Sequence, residues 1–205
     1  MKIEKFSYRY KKKVIFDKVD LYFEDSQINF ILGEKDAGKS ILLDCIADVD
    51  GIRNSKFIGF PRFKRISYLS QGNSFNTELT VKDILDFMKQ LDQVNNLQIP
   101  EVISKIQNVK FGLLCNCERR ILLVYINIMI DRELYILDEP EADVELEYTQ
   151  EMFDWFRELT ELGKTVIVST HKLDNIHDTD NVNYLKNPQE VLSDSYLKIK
   201  ERMAF

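Results

Sequence analysis

Short apolar runs alternate with longer amphipathic stretches along the chain. Runs rich in β-branched and aromatic residues predict strands at 28–32, 66–69, 134–137 and 165–169, and weak alternation predicts a hairpin strand at 14–22. Apolar positions at helical spacing predict helices at 40–47, 80–91, 118–130 and 147–162. Thr80 is the expected cap of the second helix, and Asn187-Pro188 predicts that a final helix begins there.

Strands and helices that alternate in this way predict an α/β fold with a mainly parallel sheet flanked by helices. Residues from about 73 to 110 are polar and helical without a strong strand, which indicates an insertion between two parts of the sheet. The chain has 205 residues, 44% of them hydrophobic and 30% charged, and this size fits one domain with its own core.

Charge and cysteine content restrict the classes of partner. The 28 basic and 34 acidic side chains give a net charge of −6, so no nucleic-acid partner is expected, and the run 11–13 of three lysines is interpreted as a solvated loop. Cys45, Cys115 and Cys117 are too few and too badly spaced for a disulfide framework or a zinc site, and they indicate a reducing compartment.

No segment predicts membrane insertion or export. The most apolar stretch, 121–130, is half of the roughly 20 residues that a membrane span needs, and no apolar run follows the charged residues at the N-terminus. A cytoplasmic location is therefore expected, with attachment to a membrane only through a partner.

Residues 33–40 match the pattern GxxxxGK[ST], and they lie between a predicted strand and a predicted helix. In this motif the backbone N–H groups surround phosphates, the lysine (Lys39) contacts the β- and γ-phosphates, and the hydroxyl of Ser40 binds Mg²⁺. The predicted nucleotide-binding residues are Gly33, Glu34, Lys35, Asp36, Ala37, Gly38, Lys39, Ser40 and Ile41.

A second part of a nucleotide site follows the predicted strand at 134–137. Asp138 ends this apolar strand, where a carboxylate can bind Mg²⁺ beside a phosphate loop. Glu139 comes directly after it, and a carboxylate there can orient or deprotonate the attacking water. The two motifs together predict an enzyme that hydrolyses a nucleoside triphosphate.

The order of these motifs resembles the nucleotide-binding domain of the ATP-binding cassette (ABC) family over residues 2–190. Gln71 is similar to the family's Q-loop glutamine, which senses Mg²⁺, and His171 is similar to its switch histidine, which reaches the γ-phosphate. Residues 137–140, Leu-Asp-Glu-Pro, resemble its Walker B ending. Tyr10 stands where the family stacks an aromatic ring on adenine, with Tyr8 as the alternative.

The resemblance is incomplete at the family's signature, Leu-Ser-Gly-Gly-Gln/Glu, which binds the γ-phosphate held by the opposite subunit of a dimer. The matching segment, 114–118, reads Leu-Cys-Asn-Cys-Glu. Cys115 offers a weak S–H donor where the family has a hydroxyl, and Asn116 and Cys117 carry Cβ atoms where the family has glycine. Glu145 is one methylene longer than the family's Asp in the loop after Walker B.

The resemblance implies one ABC ATPase domain over 1–205, built as a P-loop NTPase core with a small antiparallel β subdomain and a compact helical subdomain at about 73–117. It implies ATP and Mg²⁺ as ligands, with Glu139, His171 and Gln71 acting in hydrolysis and Ser40, Gln71 and Asp138 at the metal.

The partners that it implies are a membrane permease, contacted around 71–91, and a second cassette in a homodimer or heterodimer at the inner face of the cell membrane. The altered signature predicts slow or partner-dependent ATPase activity. The alternative is a regulatory subunit that binds ATP and barely hydrolyses it. A role in DNA repair or translation is disfavoured, because such ABC proteins usually carry two cassettes or long coiled coils. Neither the transported substrate nor the direction of transport is indicated.

Overall fold

The computed structural model describes residues 1–51, 53–92 and 98–203. In chain order, the strands and α-helices of these residues are β1 (Lys2–Tyr10), β2 (Lys13–Tyr22), β3 (Ile28–Gly33), α1 (Lys39–Ala47), β4 (Phe57–Ile58), β5 (Ile66–Leu69), α2 (Val81–Asp92), α3 (Glu101–Lys105), α4 (Asn116–Ile128), β6 (Leu134–Asp138), α5 (Leu146–Glu161), β7 (Thr165–Ser169), β8 (Asn181–Asn187), β9 (Glu190–Ser195) and α6 (Tyr196–Met203). Short 3₁₀ turns at Phe63–Arg65 and Phe111–Leu113 precede β5 and α4.

The central sheet has the strand order β5-β6-β7-β3-β8-β9, in which only the β8–β9 pair is antiparallel. A smaller antiparallel sheet has the order β2-β1-β4. These sheets confirm the predicted α/β class and the small antiparallel sheet. The carboxyl ends of β6, β7 and β3 lie side by side, the position at which parallel α/β sheets bind their ligands.

Both faces of the central sheet are covered. Because side chains alternate along a strand, Tyr135 and Leu137 of β6 join the core beneath α4 and α5, whereas Leu134 and Ile136 join the core beneath α1 and the β1–β2 hairpin. Burial on both faces explains why the central strands are continuous apolar runs. These runs are the signal from which the sequence predicts them correctly.

The predicted helices are confirmed as α1, α2, α4 and α5. The Thr80 hydroxyl accepts a hydrogen bond from the Asp83 N–H at 3.1 Å, and the Asp83 carboxylate accepts one from the Thr80 N–H at 2.9 Å, so the predicted cap is also confirmed. Part of the predicted helical insertion, 93–97, lies outside the described residues. Within the described ranges, no helix is long and apolar enough to cross a membrane.

The first strand has no clear signal in the sequence. β1 pairs with β2, which confirms the hairpin strand predicted at 14–22, but the register shifts three times between Ile3 and Arg9. Such bulges interrupt the alternation of buried and exposed positions on which strand prediction depends. Ile3 and Phe6 are the buried apolar side chains that anchor this strand.

The prediction that a helix begins at Asn187-Pro188 is wrong. These residues form the turn between β8 and β9, and the final helix begins at Tyr196. The side-chain oxygen of Asn187 accepts a hydrogen bond from the Gln189 N–H at 2.9 Å, as in an Asx turn, instead of capping a helix. Asn-Pro starts turns as well as helices, so the dipeptide alone does not distinguish them.

Candidate functional site

The loop between β3 and α1 has the shape that the sequence predicts. Gly38, just before α1, has φ +96°, which disfavours residues with a side chain. A Cβ atom at this position would lie 2.5 Å from Cγ2 of Ile15 and 3.1 Å from Cζ of Phe16. The loop therefore packs directly on β2, and glycine is required at 38 for both conformation and space.

Lys39 bends back across this loop. Its Nζ donates hydrogen bonds to the carbonyl oxygens of Gly33 at 3.0 Å and Glu34 at 3.1 Å, and only 6% of the residue is exposed. Burial lowers the pKa of Lys39, while the nearby carboxylates of Glu139 and Asp138 act in the opposite direction. The loop thus holds a buried cation whose partners are neutral carbonyls, an arrangement suited to binding an anion.

The acidic residues at the end of β6 are fixed by the end of β7. Asp138 is buried and accepts a hydrogen bond from the Ser169 hydroxyl, and the two residues are register partners in the sheet. The Glu139 N–H points to the carbonyl and hydroxyl oxygens of Ser169, at 3.1 and 3.0 Å. With φ +48°, Glu139 turns the chain sharply away from the sheet.

The two catalytic candidates of this region are in contact. Nε2 of His171 lies 2.8 Å from Oε1 of Glu139, and both side chains are partly exposed. They come from the segments that follow β7 and β6, which are neighbours in the sheet. The pair combines an acceptor for a water proton with a second group that can orient that acceptor.

Arg120 is a residue of this region that the sequence analysis did not assign to the site. It lies in α4, is 8% exposed, and donates hydrogen bonds to the carbonyl oxygens of Asp138, Glu139 and Pro140. Burial lowers the pKa of Arg120, and the carboxylates of Asp138 and Glu141 oppose this. The Arg120 guanidinium thus fixes the backbone of the acidic loop 138–140. In the sequence, the sign of this role is a charged residue in a helix that is otherwise mainly apolar.

A cavity of about 700 Å³ collects most of the predicted site residues. Its wall includes Tyr10, Lys35, Asp36, Gly38, Lys39, Ser40, Ile41, Gln71, Glu139 and His171. Gly33 and Asp138 end β3 and β6, while Glu34 and Ala37 border a smaller neighbouring cavity. Tyr8, the alternative to Tyr10, packs against Phe6 and the core of the hairpin instead.

The side chains of this cavity fit ATP and Mg²⁺. The backbone at Gly38 borders the cavity, and Lys39 supplies a cation beside it. Tyr10 is 53% exposed, so its ring is available for stacking on a base. The hydroxyl of Ser40 and the amide of Gln71 border the cavity, whereas Asp138 is 1% exposed at the end of β6 and does not line it. All three side chains offer oxygen donors of the kind that Mg²⁺ prefers.

The segment 114–118 is not part of the cavity wall. Cys115 caps α4: its Sγ accepts a hydrogen bond from the Glu118 N–H at 3.3 Å, and the Glu118 carboxylate accepts one from the Cys115 N–H at 2.9 Å. Cys115 and Asn116 are exposed. Cys115 therefore acts as the cap of α4, and it lies with Asn116 at the solvent-exposed start of this helix.

Comparison with known proteins shows which family the sequence matches. A sequence profile of the family described as ABC transporter matches residues 16–142. An uncharacterized ABC transporter ATP-binding protein of Methanocaldococcus jannaschii is 25% identical over 216 residues, which cover 100% of this chain and 81% of that protein. ABC transporter G family member 1 of Dictyostelium discoideum is 25% identical over 199 residues, which cover 82% of this chain and 25% of that protein. The chain thus spans a quarter of the length of the second relative.

Solved structures give the same fold. An ATP-binding subunit of an ABC transporter superimposes with a TM-score of 0.79 at 15% identity, covering 98% of this chain and 92% of the other. A dimeric bacterial ABC transporter cassette superimposes with a TM-score of 0.73 at 15% identity, covering 95% and 97%. These similarities confirm the predicted P-loop NTPase core with its added antiparallel sheet.

Proposed function

The chain belongs to the ABC transporter family as an ATP-binding domain, and we propose that it hydrolyses ATP to drive a separate membrane permease. One observation carries this proposal: Lys39, Glu139 and His171 face the same cavity above the phosphate loop. Phosphoryl transfer to water needs positive charge at the phosphates and a group that orients the water. Lys39 can supply the first, and the Glu139–His171 pair can supply the second.

ATP binding is assigned to the loop and its surroundings. The N–H groups of residues 33–40 receive the phosphates, Lys39 exchanges its loop carbonyls for the β- and γ-phosphates, and Tyr10 stacks on adenine. Mg²⁺ bound by Ser40, Gln71 and Asp138 would neutralise charge on the phosphate oxygens. The low exposure of Lys39 supports this role, because a desolvated cation gains more from meeting an anion.

Turnover is assigned to Glu139 and His171. The Glu139 carboxylate accepts a hydrogen bond from the attacking water, and the His171 imidazole holds Glu139 in place and reaches toward the γ-phosphate. Arg120 acts beneath them as a positioning residue, because it holds the backbone from which Glu139 extends.

A dimer is required to complete the site. Cys115 and Asn116, the exposed start of α4, lie outside their own cavity, which supports a role opposite the nucleotide of a second cassette. ATP would close this dimer and hydrolysis would reopen it. The thiol of Cys115 and the side chains at 116 and 117 make this a poor partner surface, so we propose slow turnover in a homodimer. In a heterodimer, a partner with an intact signature would complete the ATP site of this chain.

The coupling surface for the permease is assigned to residues 71–91. Leu79, Phe87 and Leu91 are 39%, 57% and 64% exposed, an apolar set that supports contact with another protein. We further propose that residues 1–205 form a single ABC ATPase domain with a helical subdomain at about 73–117, held at the inner face of the membrane by its permease. Co-purification with a multi-span protein from detergent extracts, reduced by Leu91→Glu, would test this arrangement.

A regulatory subunit that binds ATP and hydrolyses it barely or not at all is the second candidate. The substitutions at Cys115, Asn116 and Cys117 favour it, whereas the contact between His171 and Glu139 favours hydrolysis. Equilibrium binding of a fluorescent ATP analogue, followed by phosphate release from the same sample, distinguishes the two. Both functions predict binding, and only the first predicts phosphate release over repeated turnovers.

A further inference from the structure

Glu141 is a buried acid that has no part in the proposed chemistry. It is 3% exposed, and its Oε2 has no hydrogen-bond partner among the described residues. Burial raises the pKa of Glu141, while a hydrogen bond from Thr170 and the charge of Lys172 act in the opposite direction. A buried carboxyl group is unfavourable unless its contacts compensate, so these contacts identify what the residue does.

The contacts of Glu141 connect two loops. The Thr170 hydroxyl donates a hydrogen bond to Oε1 of Glu141 and accepts one from the Lys172 N–H at 2.9 Å. Nζ of Lys172 donates to the carbonyl oxygen of Glu141 at 3.2 Å and lies 3.5 Å from that of Val144. The segment after β7 is therefore fixed to the loop after β6 through both a side chain and the backbone.

These two segments carry the catalytic candidates. Glu139 lies two residues before Glu141, and the Ala142 N–H donates to the Glu139 carbonyl oxygen at 3.0 Å. His171 lies between Thr170 and Lys172, the two residues that bind Glu141. The contacts of Glu141 thus involve the two residues that flank His171 and the loop that carries Glu139. They do not touch the side chains of His171 and Glu139, which lie 2.8 Å apart.

We propose that Glu141 is a positioning residue. Through its contacts with Thr170 and Lys172, which we call the clasp, it fixes the segment 170–172 and thereby holds the His171 imidazole against the Glu139 carboxylate. The catalytic consequence of this clasp rests on the proposed function, but the clasp itself is a property of the nucleotide-free chain. Loss of the clasp lets the two loops move independently. The distance and orientation between the His171 imidazole and the Glu139 carboxylate then vary, while the phosphate loop is unchanged.

Amide hydrogen exchange followed by mass spectrometry tests the clasp directly. Thr170→Val removes the hydroxyl that binds Glu141 while keeping the shape of the side chain, and Thr170→Ser keeps the hydroxyl. We expect exchange in peptides covering 139–144 and 170–173 to be about tenfold faster in Thr170→Val, because these amides would be released by local opening. Thr170→Ser should behave like the parent.

A second pair of variants separates the effect of losing the clasp from the effect of losing one negative charge. Glu141→Gln changes the clasp, and Glu147→Gln removes the same charge at an exposed position. We expect Glu141→Gln to raise exchange in the same two segments, because a neutral amide oxygen accepts the Thr170 hydrogen bond more weakly than a carboxylate and loses the attraction to Lys172. Glu147→Gln should leave exchange there unchanged. Unchanged exchange in Thr170→Val, or a uniform rise that includes β3 and β7, would overturn the proposal.

Turnover provides the second readout. A clasp that acts on His171 predicts that Thr170→Val lowers kcat about tenfold or more while the Kd for ATP stays at the parental value, because misplaced catalytic groups lose rate rather than binding. If Kd and kcat change together, the residue has a general structural role and the proposal fails. If the parent alone releases no phosphate, the proposed turnover in a homodimer fails, and the exchange experiment still decides whether the clasp exists.

Discussion

Nε2 of His171 lies 2.8 Å from Oε1 of Glu139, although the two residues are 32 positions apart in the chain. The contact exists because β6 and β7 are parallel neighbours, with Asp138 and Ser169 in register at their ends. Each strand delivers one side chain to the same side of the phosphate loop. The sheet, rather than any local motif, creates the pair.

Lys39→Ala is expected to abolish measurable ATP binding. The ammonium group is the buried cation of the loop, and each hydrogen bond from a charged donor contributes about 1.5–3 kcal/mol. Isothermal titration calorimetry measures the loss, and Lys64→Ala, an exposed lysine, is the control that should bind like the parent. Binding by Lys39→Ala at the parental Kd would contradict the assignment of the loop.

Gly38→Ala is expected to destabilise the chain more than Gly51→Ala. Both glycines have positive φ, +96° and +63°, so both substitutions carry a backbone cost of about 1–2 kcal/mol. A Cβ at 38 would also meet Ile15 at 2.5 Å, whereas nothing lies within 4 Å of one at 51. Urea denaturation should therefore give an additional loss of about 1–3 kcal/mol for Gly38→Ala. Equal losses would mean that the loop does not pack on β2 as described.

Arg120→Met is expected to lower the free energy of unfolding by at least about 2 kcal/mol. The substitution removes the guanidinium donor from the carbonyl oxygens of Asp138, Glu139 and Pro140, of which that of Glu139 keeps the Ala142 N–H. Each buried acceptor left unpaired costs about 1–3 kcal/mol. Urea denaturation measures the change, with Arg62→Met as an exposed control. A loss below about 0.5 kcal/mol, typical of surface substitutions, would show that Arg120 does not hold the loop.

Thiol labelling is expected to report closure of a homodimer. Cys115 is exposed, whereas Cys45 is 1% exposed and burial raises its pKa to about 12, so a maleimide should modify Cys115 and leave Cys45 unmodified. In a Cys117→Ser background, ATP should slow labelling of Cys115 when hydrolysis is blocked by Glu139→Gln. Labelling that is unaffected by saturating ATP would contradict a homodimer and leave the heterodimer.

The phosphate loop and the central strands could be predicted because their signals are local. The loop requires fixed residue types at fixed spacing, and strands buried on both faces are continuous apolar runs. β1 escaped prediction because bulges break its alternation, and the β8–β9 turn was misassigned because Asn187-Pro188 also fits a helix start. The error at Asn187-Pro188 arises because this dipeptide is compatible with both a turn and the start of a helix.

Arg120 and Glu141 could not be assigned to the site from sequence, for a different reason. Their roles depend on carbonyl and hydroxyl groups brought near by the sheet, up to 29 positions away in the case of Thr170 and Glu141. For Arg120, a charged residue beside an apolar run is the available sign, and it indicates burial without naming the partner. Glu141 lies among other acidic residues at 138–145 and has no such sign.

Phosphate release by the purified parent and by Glu139→Gln, measured with Mg²⁺ on samples whose ATP binding is determined in parallel, tests the central claim most directly. The account predicts saturable ATP binding by both proteins, slow phosphate release by the parent, and release at least about 100-fold slower from Glu139→Gln, the usual contribution of a general base. Full turnover by Glu139→Gln, or no ATP binding by the parent, would contradict it.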